Sequence, residues 1–164
     1  VKTHIGIDPG FKGGIAAIMG DNIEIIPMPV TGEKKSKRID VLSLSAFFSS
    51  LDQPFSDMLV VLEKVGTMPK QGIVSAFNFG KGVGYLECML KLLRMPFVEV
   101  RPQEWKKEVL RGMDWKGIKS ISVAFCQQKH PSVSLLRSSR CTTPCDGMAD
   151  AICLAEYGRL RYGG

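Results

Sequence analysis

Five consecutive apolar residues, Met58-Leu59-Val60-Val61-Leu62, run straight into a carboxylate, Glu63. A β-strand shows alternate side chains to opposite faces, so a strand with no polar residue on either face must be covered on both. That requirement excludes a sheet with one wet face and calls for helices above and below it. Thr3-His4-Ile5-Gly6-Ile7-Asp8 reads as another strand, broken by Pro9-Gly10. Gly14 to Met19 and Ile23 to Met28 read as two more, joined by a turn at Gly20-Asp21-Asn22, which makes a three-stranded antiparallel meander. Phe97 to Val100 is a short fifth strand. Apolar spacing predicts helices over Ile39 to Leu51 and Ile73 to Leu93, closed by Pro54 and Pro96. Three more are expected: Pro102 to Leu110, Lys116 to Lys129, and a last one capped by Thr143, with Pro144 in its first turn, reaching about Arg159. The polar stretch Thr31 to Arg38 carries Lys34, Lys35, Lys37 and Arg38 and reads as an exposed loop suited to phosphate contact. The fold class expected is α/β: a mixed five-stranded sheet, meander plus parallel strands, flanked by helices in a single domain over residues 1–164.

Charge and cysteine content narrow the function classes. Lys and Arg number 22 against 16 Asp and Glu, a formal charge of +6 that suits a polyanionic partner. No apolar run approaches the roughly 18 residues of a membrane span, and the first residues lack the layout of a signal peptide, so no membrane partner is expected. The 5 cysteines are an odd number in apolar or helical contexts, which points to a reducing compartment. Cys141 and Cys145, with Cys126 and His130 upstream, raise a zinc site as an alternative, but no CxxC pair is present and the spacing is loose.

Four carboxylates stand out by position. Asp8 and Glu63 each end an apolar strand, and Asp146 and Asp150 are four apart on a helix, so they share one face. Singly, each has a structural use: Asp146 can complement a helix dipole and Asp8 can hold a turn. As a set they could surround divalent cations, because Mg²⁺ takes hard oxygen ligands and relieves the repulsion among them. Two such ions about 3.5 to 4 Å apart activate a water and stabilise a leaving 3′ oxygen.

The run Ile5-Gly6-Ile7-Asp8-Pro9-Gly10 followed by Gly14-Ile15-Ala16 is one part of a wider pattern. With it go Leu62-Glu63-Lys64-Val65, Met68-Pro69-Lys70-Gln71-Gly72 and Asp146-Gly147-Met148-Ala149-Asp150-Ala151. Together they resemble the RuvC-type Holliday junction resolvases over nearly the whole chain. Phe77-Asn78-Phe79-Gly80 and Arg101-Pro102-Gln103-Glu104-Trp105-Lys106-Lys107 are similar to the phage-like and bacterial branch related to the plant chloroplast resolvases. The resemblance implies an RNase H-like fold, a homodimer, and symmetric nicking of four-way DNA junctions with Mg²⁺ or Mn²⁺, two ions per site. It puts Asp8, Glu63, Asp146 and Asp150 in the four ligand positions. The third position is His in some members and Asp in others, with the last two ligands three or four apart; Asp and four are found here, which keeps both on one helical face. An Asp relays protons poorly near neutral pH, so any role of Asp146 beyond metal binding stays open.

Candidate DNA contacts follow from placement. Lys64, Lys70 and Gln71 leave the Glu63 strand directly; Phe77, and Met68 in the loop, could wedge between bases or pack in the core. Gly80-Lys81-Gly82-Val83-Gly84, expected near the start of a helix, suggests close backbone approach, and by the resemblance that helix forms the dimer interface; a phosphate-binding glycine loop is the competing reading, though the P-loop pattern is lacking, and Lys81 lies within the run. In the basic stretch Trp105, Lys106, Lys107, Arg111, Lys116 and Lys119, with Arg137 and Arg140 before the last helix, Lys106, Lys107 and Arg140 are the favoured contacts. Rival readings are a two-domain ATPase of the actin and sugar-kinase type, for which 164 residues are too few, an RNase H-fold nuclease for RNA-containing or flap substrates, and a junction-binding module without activity. The expected compartment is reducing and holds DNA: a bacterial or phage-host cytoplasm, or a plastid matrix for a plant protein. Setting the four carboxylates aside leaves 12 acidic residues against 22 basic ones, so bound metal would unmask a stronger basic excess.

Overall fold

The central strand β1 (Thr3–Asp8) is paired on both sides. It runs antiparallel to β2 (Gly14–Met19), which pairs with β3 (Asn22–Pro27) in the expected meander. On its other edge it runs parallel to β6 (Met58–Glu63), and β6 runs parallel to β7 (Phe97–Val100), so the sheet order is β3-β2-β1-β6-β7. The computed structural model describes residues 2–33, 36–66, 72–114 and 116–163. Both faces are covered, as the apolar run of β6 requires. On one face Ile5, Ile7, Val60 and Leu62 pack with Leu44 and Phe48 of α1 (Val41–Ser50) and Leu86 and Leu90 of α2 (Ile73–Leu92). On the other, Ala16 and Val61 pack with Trp105 and Val109 of α3 (Pro102–Val109), Cys126 of α4 (Ile121–Lys129) and Met148 and Ile152 of α5 (Asp146–Tyr162). Each such side chain buried contributes ~1.5–3 kcal/mol before chain entropy is counted.

Helix α5 lies directly on β1, and a glycine makes this possible. A Cβ on Gly6 would sit 2.0 Å from the Ala151 carbonyl oxygen and 2.4 Å from the Ala155 nitrogen. Gly6→Ala therefore forces the helix off the sheet and displaces every side chain that α5 carries.

Five expectations need correction. Thr31 to Arg38 is more than a loop: β4 (Val30–Thr31) pairs with β5 (Arg38–Ile39), with Gly32 in the turn at φ +80°. Ile39 is buried under that hairpin and does not begin α1, because Asp40 caps the helix, accepting from the Leu42 and Ser43 N–H groups at 3.2 Å. Helix α4 starts at Ile121 rather than Lys116; Gly117 takes φ +72° and Ser120 is the cap. Helix α5 starts at Asp146, not after a Thr143 cap, since the Cys145 N–H donates to Leu135 O at 2.8 Å and holds the chain extended to that point. The three alternating glycines lie within α2, and only Gly82 meets a close neighbour; the spaces beside Gly80 and Gly84 are open.

Candidate active site

Parallel pairing of β1 with β6 puts Ile7 opposite Leu62, so the next residues along, Asp8 and Glu63, leave adjacent strand ends side by side. Helix α5 meets this edge through a single bridge between Gly13 and Gly147. A Cβ on Gly147 would lie 2.5 Å from the Lys12 carbonyl oxygen and 2.7 Å from Asp8 Oδ2, so only glycine lets the first turn of α5 come this close. Asp146 is exposed as the first residue of the helix, and Asp150, one turn on, is half-buried beneath it.

The four sequence-predicted carboxylates are thus gathered at the C-terminal ends of β1 and β6. Burial, together with the charges of Glu63 and Asp150, pushes Asp8 up to about 7, against a stabilising hydrogen bond from the Gly10 N–H at 3.1 Å. Glu63 is raised by burial and by Asp150; Asp150 is raised by burial and by Asp146. One cation, the half-buried Lys106, opposes the shift at all three. Its ammonium also lies 5.1 Å from the centroid of the Trp105 ring. As they stand, no three His, Cys, Asp or Glu side chains among the described residues close into a metal cage. The set is an open half-shell of hard oxygens under mutual repulsion. Its donor chemistry fits Mg²⁺, which keeps several waters and needs only a few carboxylates.

Two further side chains support the carboxylates. The buried Trp105 indole N–H donates to Glu63 Oε1 at 2.9 Å across 42 residues of chain, and the hydroxyl of buried Ser122 stands beside Asp150 and works against the upward shift of its pKa. The Trp-Lys pair was visible in the sequence, though the aim of its indole was not; Ser122 carried no signal. In the segment before α5, Arg137 reaches the β1–β2 turn, donating to Gly13 O at 3.4 Å and Phe11 O at 3.5 Å.

The remaining basic candidates spread outward. Lys64 and Lys107 are exposed beside the strand end and on α3, and Arg140 is exposed in the loop before α5. Lys81 is exposed on α2, and Phe77 is 68% exposed there, which removes the core reading for it. Met68, Lys70 and Gln71, like Lys34 and Lys35, lie outside the described residues. The cysteines weighed as zinc ligands have other partners: Cys126 Sγ lies 3.6 Å from Ala149 O, Cys145 Sγ 3.4 Å from Lys12 O, and His130 binds Glu156.

No protein-family model matches the sequence, and no curated protein matches it significantly. Solved structures do. Thermus thermophilus RuvC in complex with a Holliday junction substrate superposes with a TM-score of 0.60 at 13% identity, covering 99% of this chain and 97% of that one. The chain has the RuvC fold. A second structure of T. thermophilus RuvC gives a TM-score of 0.54 at 16% identity, with 98% and 96% covered. At such identity the shared feature is the fold itself: the mixed five-stranded RuvC sheet with helices on both faces. No described helix is long and apolar enough to cross a membrane.

Proposed function

We propose that this chain is a metal-dependent endonuclease that resolves four-way DNA junctions by paired nicks, working as a homodimer. The observation that carries this reading is the meeting of Asp8, Glu63, Asp146 and Asp150 at one end of a RuvC-type sheet, with Lys106 facing Asp8, Glu63 and Asp150. The junction substrate is supported by a neighbour of the same fold solved with a Holliday junction.

In this reading the four carboxylates hold two Mg²⁺ ions, for which Mn²⁺ substitutes. When bound, the metal supplies Lewis-acid activation of water and charge neutralisation at the leaving oxygen. The chain's own residues orient and exclude. The Gly10 N–H and the Trp105 indole fix one oxygen each of Asp8 and Glu63, and Ser122 steadies Asp150. Asp146, exposed at the helix start, meets the entering phosphate side of the site. Lys106 balances the scissile phosphodiester charge from beside the carboxylates. Lys64, Lys70, Lys81, Lys107 and Arg140, with Gln71 at a base edge, track the flanking strands, and the exposed Phe77 ring offers a stacking face. A second copy seats on α2, where Gly80, Gly84 and exposed Cys88 recur at four-residue steps with open space beside the glycines. A two-fold pair then presents two equal sites to the two equivalent strands of a junction.

With Mg²⁺, the purified protein is expected to place paired nicks in a mobile four-way junction, while Asp8→Asn binds the junction without cutting it. An Asn variant that cuts like the parent ends the metal-site reading. Equal cutting of linear duplex, flap and junction replaces it with a general nuclease.

A further inference from the structure

Lys37 and Arg38 precede Lys81 by more than 40 residues, yet the fold brings them around one cavity of about 240 Å³ between the β4–β5 hairpin and the flank of α2. Asn78 and Tyr85 complete its wall and Gly82 forms part of its floor, and no Asp or Glu among the described residues lines it. None of the three cations is engaged in an ion pair among the described residues.

The cavity is built into the fold rather than left over from exposed side chains. Gly32 sets the hairpin turn, since a Cβ there would lie 2.5 Å from the Ser36 carbonyl oxygen. The Ser36 hydroxyl is used up inside that turn, accepting from the Glu33 N–H at 3.1 Å and donating to the Glu33 carbonyl at 2.8 Å. The turn leads into the Thr31–Arg38 pair of the ladder, and Ile39 anchors the hairpin from beneath. On the helix side, a Cβ at Gly82 would come within 3.2 Å of Ile39 Cδ1, so the Ile39 side chain under the hairpin would have to give by a few tenths of an ångström. Gly82 is thus the one of the three alternating glycines that packs against the hairpin. Lys81 Nζ lies 5.7 Å from the centroid of the Tyr85 ring, a second residue of the wall.

We propose that this cavity is a phosphate cradle that takes an uncut backbone phosphodiester from a duplex arm of the bound DNA. The lining supplies two ammonium groups, a guanidinium, an amide and a phenol, all able to donate to phosphate oxygens, and among the described residues no carboxylate lines the cavity to compete. Its place favours DNA over a free anion. Phe11, within 3.8 Å of the Gly82 Cβ position, belongs to the same turn as Asp8-Pro9-Gly10, so the cradle flanks the segment that carries Asp8. The proposal rests on the nuclease reading for its source of phosphate, and the test separates the two.

The test uses ¹⁵N amide shifts and DNA affinity against salt. Inorganic phosphate in the millimolar range and linear duplex DNA are each expected to move the amides of Lys37, Arg38 and Lys81. The double variant Arg38→Ala with Lys81→Ala is expected to lose both responses, to bind junction DNA several-fold more weakly, and to show a log–log salt slope shallower by about two, one per charge removed. Arg38→Lys with Lys81→Arg should restore the slope. A control pair, Lys2→Ala with Arg94→Asn, removes two exposed charges from the opposite end of the sheet, Asn suiting the φ of +53° at position 94. It is expected to keep the parental slope. An unchanged slope in the cradle variant, or an equal loss in the control, overturns the proposal. Phosphate-induced shifts without duplex-induced ones assign the cavity to a free phosphate compound and overturn the DNA assignment. If duplex and phosphate both move these amides while no junction is cut, the cradle stands and the nuclease reading falls.

Discussion

Helix α5 carries two buried or half-buried carboxylates less than two turns apart, and their surroundings are opposite. Glu156 is fully buried, yet it is met by Lys129 Nζ at 3.1 Å, His130 Nε2 at 2.8 Å and Arg159 Nη2 at 2.8 Å. Burial alone would raise it; hydrogen bonds and charge from Lys129 and Arg159 outweigh that and hold it below the usual carboxylate range. Asp150 has Asp146, Asp8 and Glu63 in its neighbourhood, with Lys106 as the facing cation, and is raised. A structural carboxylate comes with its counter-ions built in. The carboxylates at the other end have their orientation built in and their charge left over, which is the arrangement expected of a site awaiting a cation.

Removing the compensated group should have the largest effect on stability. Glu156→Ala is expected to cost about 2–3 kcal/mol in urea unfolding, because it strips the partner from three basic groups joining α4 to α5. Lys129 and Arg159 side chains are 37% and 43% exposed and can turn to water, so the cost falls below that of stranding fully buried charges. Asp150→Ala in metal-free protein should be neutral or stabilising. Equal destabilisation by both variants breaks the contrast.

Proton linkage gives the two ends opposite signs. Glu156, with its folded pKa depressed, contributes stability that is present above its unfolded value of 4.5 and lost as pH falls through the folded value. Asp8, raised from 3.8 to about 7, binds more proton when folded, so its contribution is full below 3.8 and lost as pH rises to about 7. Metal-free protein is therefore expected to lose melting temperature between about pH 4 and 7. Mg²⁺ should flatten that decline and Asp8→Asn should reduce it. A decline of equal slope in the parent, with and without Mg²⁺, and in the variant would detach it from the carboxylate cluster.

The contrast also explains what could be read in the sequence. Strand ends were legible: Asp8 and Glu63 terminate apolar runs that can only be central strands, and the four-residue step from Asp146 to Asp150 survives any small error in helix boundaries. The start of α5 was misplaced because Thr143-Pro144 is a good local cap, while the deciding bond, from the Cys145 N–H to Leu135 O, joins two loops. Arg137 and Arg140 are equivalent in composition; only tertiary geometry picks out the one that reaches the β1–β2 turn. The counter-ions of Glu156 were invisible for the same reason, two of them arriving from α4 and the residue that caps it.

The smallest expected effect probes orientation without touching charge. Trp105→Phe keeps most of the buried ring and removes the N–H that holds Glu63 Oε1, so the loss in stability should be about 1 kcal/mol. Groups that orient a ligand without being one typically carry 10–100-fold in metal affinity, and a single neutral hydrogen bond belongs at the low end, about tenfold. Mn²⁺ titration calorimetry on DNA-free protein reads this directly, independent of cutting. Lys106 keeps its charge in the variant, so a purely electrostatic site predicts no change in Mn²⁺ affinity, whereas a site that depends on a fixed Glu63 predicts the tenfold loss. Parental affinity in Trp105→Phe would leave the indole a packing group and transfer the positioning of Glu63 to the register between β1 and β6.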